Sequence, residues 1–300
     1  MAPGGAAYGC GQCMPCRINK RRLWTHRIML EARLHDKNSF WTLTFDDANL
    51  TLNKEGIPNL ETSPLKDFMK RLRWHHQPEQ LRYFNVGEYG SQTWRPHYHL
   101  ALFNYPGCSR GVTQLNRRGT CCSVCDSVRE IWGKGLVYSG QLEDASAAYV
   151  AGYVTKKLTD RNDPRLKGRN PEFARMSLKP GIGAGFIPEV ASVLLSHNLA
   201  GPQSPMSDVP TSLRVGPTVR PLGRYLTRQL REQVGMTPNA PKEALEAREK
   251  EMLPLRQAAC AMAPKGTYSE TYKSLIIDVH EGKYIQTMAR YRRQNKEGIL

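Results

Sequence analysis

The segment RPHYHLALF, residues 95–103, constrains the fold most. Side chains alternate along a strand, so His97 and His99 share one face while Tyr98, Leu100 and Leu102 share the other. One side is suited to packing under helices and the other to chemistry. FWTLTF, residues 40–45, has the same period: Trp41, Leu43 and Phe45 alternate with Thr42 and Thr44. Two further strands are expected at 81–86 and 136–142, the first interrupted or ended by Gly87-Glu88-Tyr89-Gly90.

Helical spacing separates these strands. Residues 18–34 form a basic helix whose core contacts would be Leu23, Trp24, Ile28 and Leu30. In a second helix, Ser63 suits the N-cap, Pro64 the first helical position, and Leu65, Phe68, Met69 and Leu72 recur at i, i+3, i+4 and i+7. Residues 144–158 predict a third, capped by Asp144 or Ser146. Its apolar stripe is Ala147, Val150, Ala151, Val154 and Leu158, and Tyr149, Tyr153, Lys156 and Lys157 gather on a different, polar face. The expected class is α+β: an antiparallel sheet with the histidines on its open face, helices on the other, and the tyrosine helix lying across the histidines. The texture changes after Lys179. We expect a main domain over 1–190, a Pro-rich linker over 191–222 and a basic, mostly helical extension over 223–300.

The formal net charge is +16. The excess is spread through KRRLWTHR, KRLRWHH, KKLTDRNDPRLKGR and RYRRQNK, which suits a long polyanion better than a small acidic ligand. Nucleic acid is the first candidate and an acidic membrane surface the second. No run of about 18 apolar residues occurs, so a spanning helix is not expected.

Three constellations carry chemistry. His97 and His99 can grip one divalent cation, with Glu88 as third ligand. Such a set leaves positions open for water and a phosphate oxygen and suits Mn²⁺ or Mg²⁺, while ligand type also admits zinc. The competing reading is an incidental H-x-H pair. Tyr149 and Tyr153, four apart on a helix, point the same way. They are either packing residues or paired nucleophiles. A phenol with a pKa near 10 needs help as a nucleophile, which a cation, Lys156 and Lys157 could supply. Seven of the eight cysteines form two groups, Cys10, Cys13, Cys16 and Cys108, Cys121, Cys122, Cys125. A structural zinc drawn from the second group, with a ligand from the first as an option, competes with free thiols filling a small core and with disulfides.

Taken together, FWTLTF, EYG, RPHYHLALF and YVAGYVTKK resemble, in order and approximate spacing, the motifs of HUH endonucleases. CGQCMPCRINKRRLWTHRIMLEA, RRGTCCSVC, WGKG and MSLKPGIG resemble more closely the replication initiation proteins of the gokushovirus branch of the Microviridae. The resemblance spans roughly residues 9–190. It implies an RRM-like sheet and a rolling-circle initiator acting in the cytoplasm of a bacterial host. Such a protein nicks the origin, holds the new 5′ end as a phosphotyrosine ester, leaves a 3′-OH for the host polymerase, and rejoins strands to release circular single-stranded DNA. By motif, His97, His99 and Glu88 would bind the cation, Tyr153 and Tyr149 would be the nucleophiles, and Lys156 and Lys157 would fill the lysine positions. No G-x4-G-K-[ST] loop occurs, so strand separation falls to a host helicase. Two other classes stay open: a non-catalytic, zinc-stabilised nucleic-acid-binding regulator, and a tyrosine transposase or relaxase.

Overall fold

A computed structural model describes residues 14–90, 92–153, 162–201 and 208–279, with positions 282, 285–289 and 292 beyond them. Arg21–Phe186 form one compact unit; Ile187 onward, with the stretch up to Lys20, forms another.

In the first unit, helix α1 (Met14–Ala32) leads into strand β1 (Asn38–Thr44). Then come α2 (Ser63–His75), β2 (Arg82–Tyr89) and β3 (Pro96–Phe103). Next are α3 (Ser123–Trp132), β4 (Val137–Gln141), α4 (Asp144–Tyr153) and β5 (Phe173–Met176). The strands form one antiparallel sheet in the order β4-β1-β3-β2-β5. The fold is α+β, as expected, and the four strands anticipated are present.

The apolar face behaves as the alternation requires. Trp41, Leu43, Tyr98, Leu100 and Leu102 pack with Leu65, Phe68, Met69 and Leu72 of α2 and with Val128, Ile131 and Trp132 of α3. Trp132 meets Phe45, Phe68 and Tyr98 edge-on at 5.2–5.9 Å, and its indole N–H donates to the Thr44 carbonyl at 2.8 Å. A buried ring of this kind contributes about 3–5 kcal/mol.

Several expectations need correction. Ser63 is the first residue of α2, not its cap; Thr62 takes the N-cap position without a side-chain cap bond, and Pro64 stays in the first turn. Gly87 does not end β2, which runs on to Tyr89. A Cβ at Gly87 would come within 2.7 Å of the Phe173 ring, so the glycine admits β5 alongside. The histidine face is not otherwise open: α1 joins α4 on it, with Ile28, Ala147, Val150, Ala151, Phe84, Val86, Ala101 and Phe103 in one cluster. Helix α4 is therefore covered on more than one side. Its backbone carbonyl at Ala148 accepts from the Arg21 guanidinium at 2.8 Å, and Tyr153, assigned to a polar face, is buried.

The PGIG loop explains how α1 is held. The Glu31 carboxylate, 1% exposed, pairs with the Arg82 guanidinium on β2 and accepts the Gly183 amide at 2.7 Å. Arg82 also donates to the Pro180 carbonyl at 2.7 Å, and Arg27 to that of Ile182 at 2.9 Å. Gly183 has φ +79°, and a Cβ there would lie 2.9 Å from the Arg27 carbonyl oxygen, so only glycine fits. Breaking a buried pair from one side strands a charge, which costs about 3–5 kcal/mol. Glu31→Ala should therefore lower the urea unfolding midpoint by that equivalent, and an unchanged midpoint would remove the clamp from this account.

In the second unit, α5 (Ile187–Ser196) is followed by a hairpin of β6 (Ser212–Val215) and β7 (Thr218–Pro221). Helix and hairpin thus occupy much of the stretch read as linker. Helix α6 (Gly223–Gln233) buries Leu226 and Leu230, and its Arg231 grips Asp208 with two bonds of 2.7 and 2.8 Å. Burial opposes that carboxylate, but the guanidinium holds its pKa below the usual range. Helices α7 (Lys242–Met262) and α8 (Tyr268–Val279) pack together, in keeping with the helical character expected after residue 223.

Candidate metal and tyrosine site

The register of three strands builds the site. Residues directly opposite in an antiparallel pair point to the same face. His97 lies opposite Glu88 on β2 and Thr44 on β1; His99 lies opposite Val86 and Thr42. The strand extension through Gly87 thus places Glu88 beside both imidazoles. Its Oε1 lies 2.9 Å from His97 Nε2 and 2.9 Å from His99 Nε2, and candidate ligand atoms of the three residues lie within 4.8 Å of one another.

The outer nitrogens are also fixed. His97 Nδ1 lies 3.0 Å from the Arg95 carbonyl, and His99 Nδ1 2.9 Å from Thr42 Oγ1. A carbonyl only accepts, so the His97 Nδ1 must carry the hydrogen. In the neutral ring this leaves a lone pair on Nε2 aimed at a carboxylate oxygen, two acceptors facing each other. A cation between them resolves that conflict, and outer-ring hydrogen bonds of this kind orient histidine ligands. The donor set fits a divalent ion.

Both tyrosines come to this pocket. Tyr153 lies flat against His99, ring centroids 5.2 Å apart at 13°, and Tyr149 meets His99 edge-on at 5.0 Å. The Tyr149 hydroxyl lies 3.4 Å from His99 Nε2. The two phenol rings are 5.0 Å apart. Burial raises the Tyr149 pKa, with the Glu88 charge adding to it. Burial first, then Glu88, raise that of Tyr153 much further. Either hydroxyl loses its proton only if the negative charge of Glu88 is offset. Lys156 and Lys157 lie outside the described residues.

Sequence reasoning did not single out two contributors. Phe40 stacks on His99 at 5.8 Å and 12°, closing the side away from Glu88's strand, and the Arg95 backbone orients His97. Phe40 occupies the i−2 position from Thr42 on the same strand face, which was the available signal. Of the two threonines, Thr42 reaches a histidine, while Thr44 Oγ1 turns to the Leu136 carbonyl.

The second cysteine group also converges. The Sγ atoms of Cys108, Cys121, Cys122 and Cys125 lie within 4.8 Å of one another, and all four are free thiols. Cys122 takes the N-cap position of α3. Burial opposes its thiolate, yet hydrogen bonds from the Cys125 and Ser109 amides bring its pKa down to about 6. Burial pushes Cys125 and Cys108 up. Cys10 and Cys13 lie outside the described residues.

Residues 38–158 match the family model for replication-associated protein ORF2. The chain is 34% identical over 184 residues to replication-associated protein ORF2 of Spiroplasma virus 4, covering 60% of this chain and 57% of that protein. It is 32% identical over 166 residues to replication-associated protein VP4 of Bdellovibrio phage phiMH2K, covering 52% and 50%. To replication-associated protein ORF4 of Chlamydia phage 1 it is 28% identical over 155 residues, covering 49% and 38%. The chain thus spans about half the length of the curated relatives it matches. No solved structure matches. No helix among the described residues is long and apolar enough to cross a membrane. The stretch that matches the family model contains Glu88, His97, His99, Tyr149 and Tyr153, and over residues 38–158 this chain belongs to the family of replication-associated protein ORF2, in keeping with its resemblance to gokushovirus initiators.

Proposed function

We propose that this chain initiates rolling-circle replication of a small phage genome by nicking and rejoining single-stranded origin DNA through a tyrosine. The observation that carries the reading is the convergence of both phenols on His99, whose Nε2 faces the Glu88 carboxylate. A core-packing role for Tyr149 and Tyr153 gives no reason for two imidazoles and a carboxylate to meet at the same point.

Glu88, His97 and His99 would hold Mg²⁺ or Mn²⁺, which when bound supplies positive charge against a phosphate oxygen. Thr42 and the Arg95 carbonyl hold the imidazoles in position. A tyrosine hydroxyl gives up its proton as its oxygen bonds to phosphorus. The bond from phosphorus to the 3′ oxygen breaks, and that oxygen takes a proton. The product is a 5′-phosphotyrosine ester and a free 3′-OH, the primer end for a host polymerase. Because the ester conserves the bond energy, a second cut at the other tyrosine yields a 3′-OH that attacks the first ester and closes a circle. Lys156 and Lys157 follow Tyr153 closely enough in sequence to neutralise the phosphate. A host helicase would open the duplex, in the host cytoplasm.

The test uses the full chain with a single-stranded oligonucleotide and Mn²⁺. A covalent protein–DNA adduct that survives denaturation is expected, and it should vanish with EDTA. Oligonucleotide binding should weaken steeply with salt, as phosphate contacts release counterions. A chain that binds DNA with that salt response but never forms an adduct is the non-catalytic regulator instead.

A further inference from the structure

The four cysteines lie far from the proposed chemistry in sequence and serve no step of it. Cys108 follows β3, and Cys121, Cys122 and Cys125 open α3. Cys108 Sγ lies 3.6 Å from Cys121 Sγ and 3.9 Å from Cys122 Sγ. A disulfide needs about 2.05 Å. Four sulfurs each about 2.3 Å from a tetrahedral zinc lie about 3.8 Å apart, which is the spacing found here. The Gln114 amide also points at Cys121 Sγ, 3.4 Å away, as a donor would toward a thiolate.

The loop that carries these sulfurs is sewn onto the edge of the sheet. Thr113 N donates to the Ser139 carbonyl at 3.0 Å, and Ser139 N donates to Thr113 Oγ1 at 2.7 Å. Cys108 N donates to Ser139 Oγ at 3.0 Å. Thr113 Oγ1 in turn lies 3.4 Å from Cys125 Sγ. Ser139 sits on β4, an edge strand, opposite Trp41 of β1. An unpaired edge invites association with other chains unless something covers it.

We infer that Cys108, Cys121, Cys122 and Cys125 hold one structural zinc ion that staples the loop from β3 to α3 over edge strand β4. Closed four-sulfur coordination leaves no position for substrate, so the ion acts on stability alone. The site is independent of the tyrosine chemistry and stands or falls separately.

The full chain, purified without added metal and passed over a weak chelating resin, should retain about one zinc per chain by elemental mass spectrometry. His97→Ala/His99→Ala should retain it, as should Cys10→Ser/Cys13→Ser/Cys16→Ser. Cys121→Ser/Cys125→Ser should lose it, with a lower unfolding temperature and more aggregation. Because that variant could misfold for other reasons, Co²⁺ exchange into the unaltered chain is the second measurement. Thiolate-to-cobalt charge-transfer bands and the intense visible bands of a tetrahedral site are expected. Four freely alkylated thiols with no zinc, an octahedral cobalt spectrum, or zinc lost with the histidine variant would each overturn the inference.

Discussion

A chain with phenylalanine at both Tyr149 and Tyr153 is expected to form no covalent adduct with single-stranded DNA, a fall on the order of 10⁴-fold or more, as for loss of a nucleophile elsewhere. The substitution removes two oxygens and leaves both rings. The stack of Tyr153 on His99, the edge contact of Tyr149 and the contact between the two rings depend on the rings, not the hydroxyls. Loss of the 3.4 Å approach from Tyr149 to His99 costs about 1 kcal/mol at most. Fold and DNA affinity should therefore survive while adduct formation does not. Each single substitution should leave one adduct-forming hydroxyl but end the release of closed circles, because joining needs the second cut. Gel analysis of denatured mixtures measures the adduct, and a circular template measures joining. A double variant that still forms the full adduct would move the nucleophile elsewhere and sink the two-tyrosine mechanism.

The parts of this arrangement that were legible in the sequence are those set by local period. The alternation in β1 and β3 identified the face of His97 and His99 and the buried rank of Trp41, Leu43, Tyr98, Leu100 and Leu102. Glu88 was named from its neighbourhood, but its position inside a strand depends on Gly87 accommodating Phe173, a contact 86 residues away (173 less 87) that no local pattern encodes. Strand β5 escaped notice because it has four residues, most of them half-exposed, and owes its pairing to β2. The Glu31–Arg82 clamp also joins distant segments, so PGIG was visible as a motif while its role was not. The misassigned polar face of α4 has the same origin. A helical wheel shows which residues share a side, but not that α1 and the sheet both cover this helix. The cysteine group was readable as a cluster, and only the fold brings its four sulfurs together without a contribution from the first group.

The second large effect is expected at Glu88. One carboxylate oxygen faces two imidazole nitrogens at 2.9 Å, so Glu88→Gln removes the charge without removing the shape. The amide can present its oxygen to one ring or its N–H₂ to a lone pair, which relieves the conflict between acceptors and should leave the unfolding midpoint unchanged or higher. Mn²⁺ binding followed by calorimetry should weaken markedly. Adduct formation should fall at least about 10²-fold, because charge placed against a phosphate oxygen is worth several kcal/mol. Thr42 offers a graded companion. Its hydroxyl fixes the outer nitrogen of His99 from the neighbouring strand, and losing a partner of that kind typically costs about 10–100-fold in affinity or activity. Thr42→Val should show that smaller loss and Thr42→Ser should restore most of it, which a packing role for the threonine methyl would not do. If Glu88→Gln binds Mn²⁺ as tightly as the unaltered chain, the cation does not sit between Glu88 and the histidines. The pocket would then be a hydrogen-bonded polar cluster beneath two buried phenols, and the rate data for the tyrosine variants would need another source of positive charge.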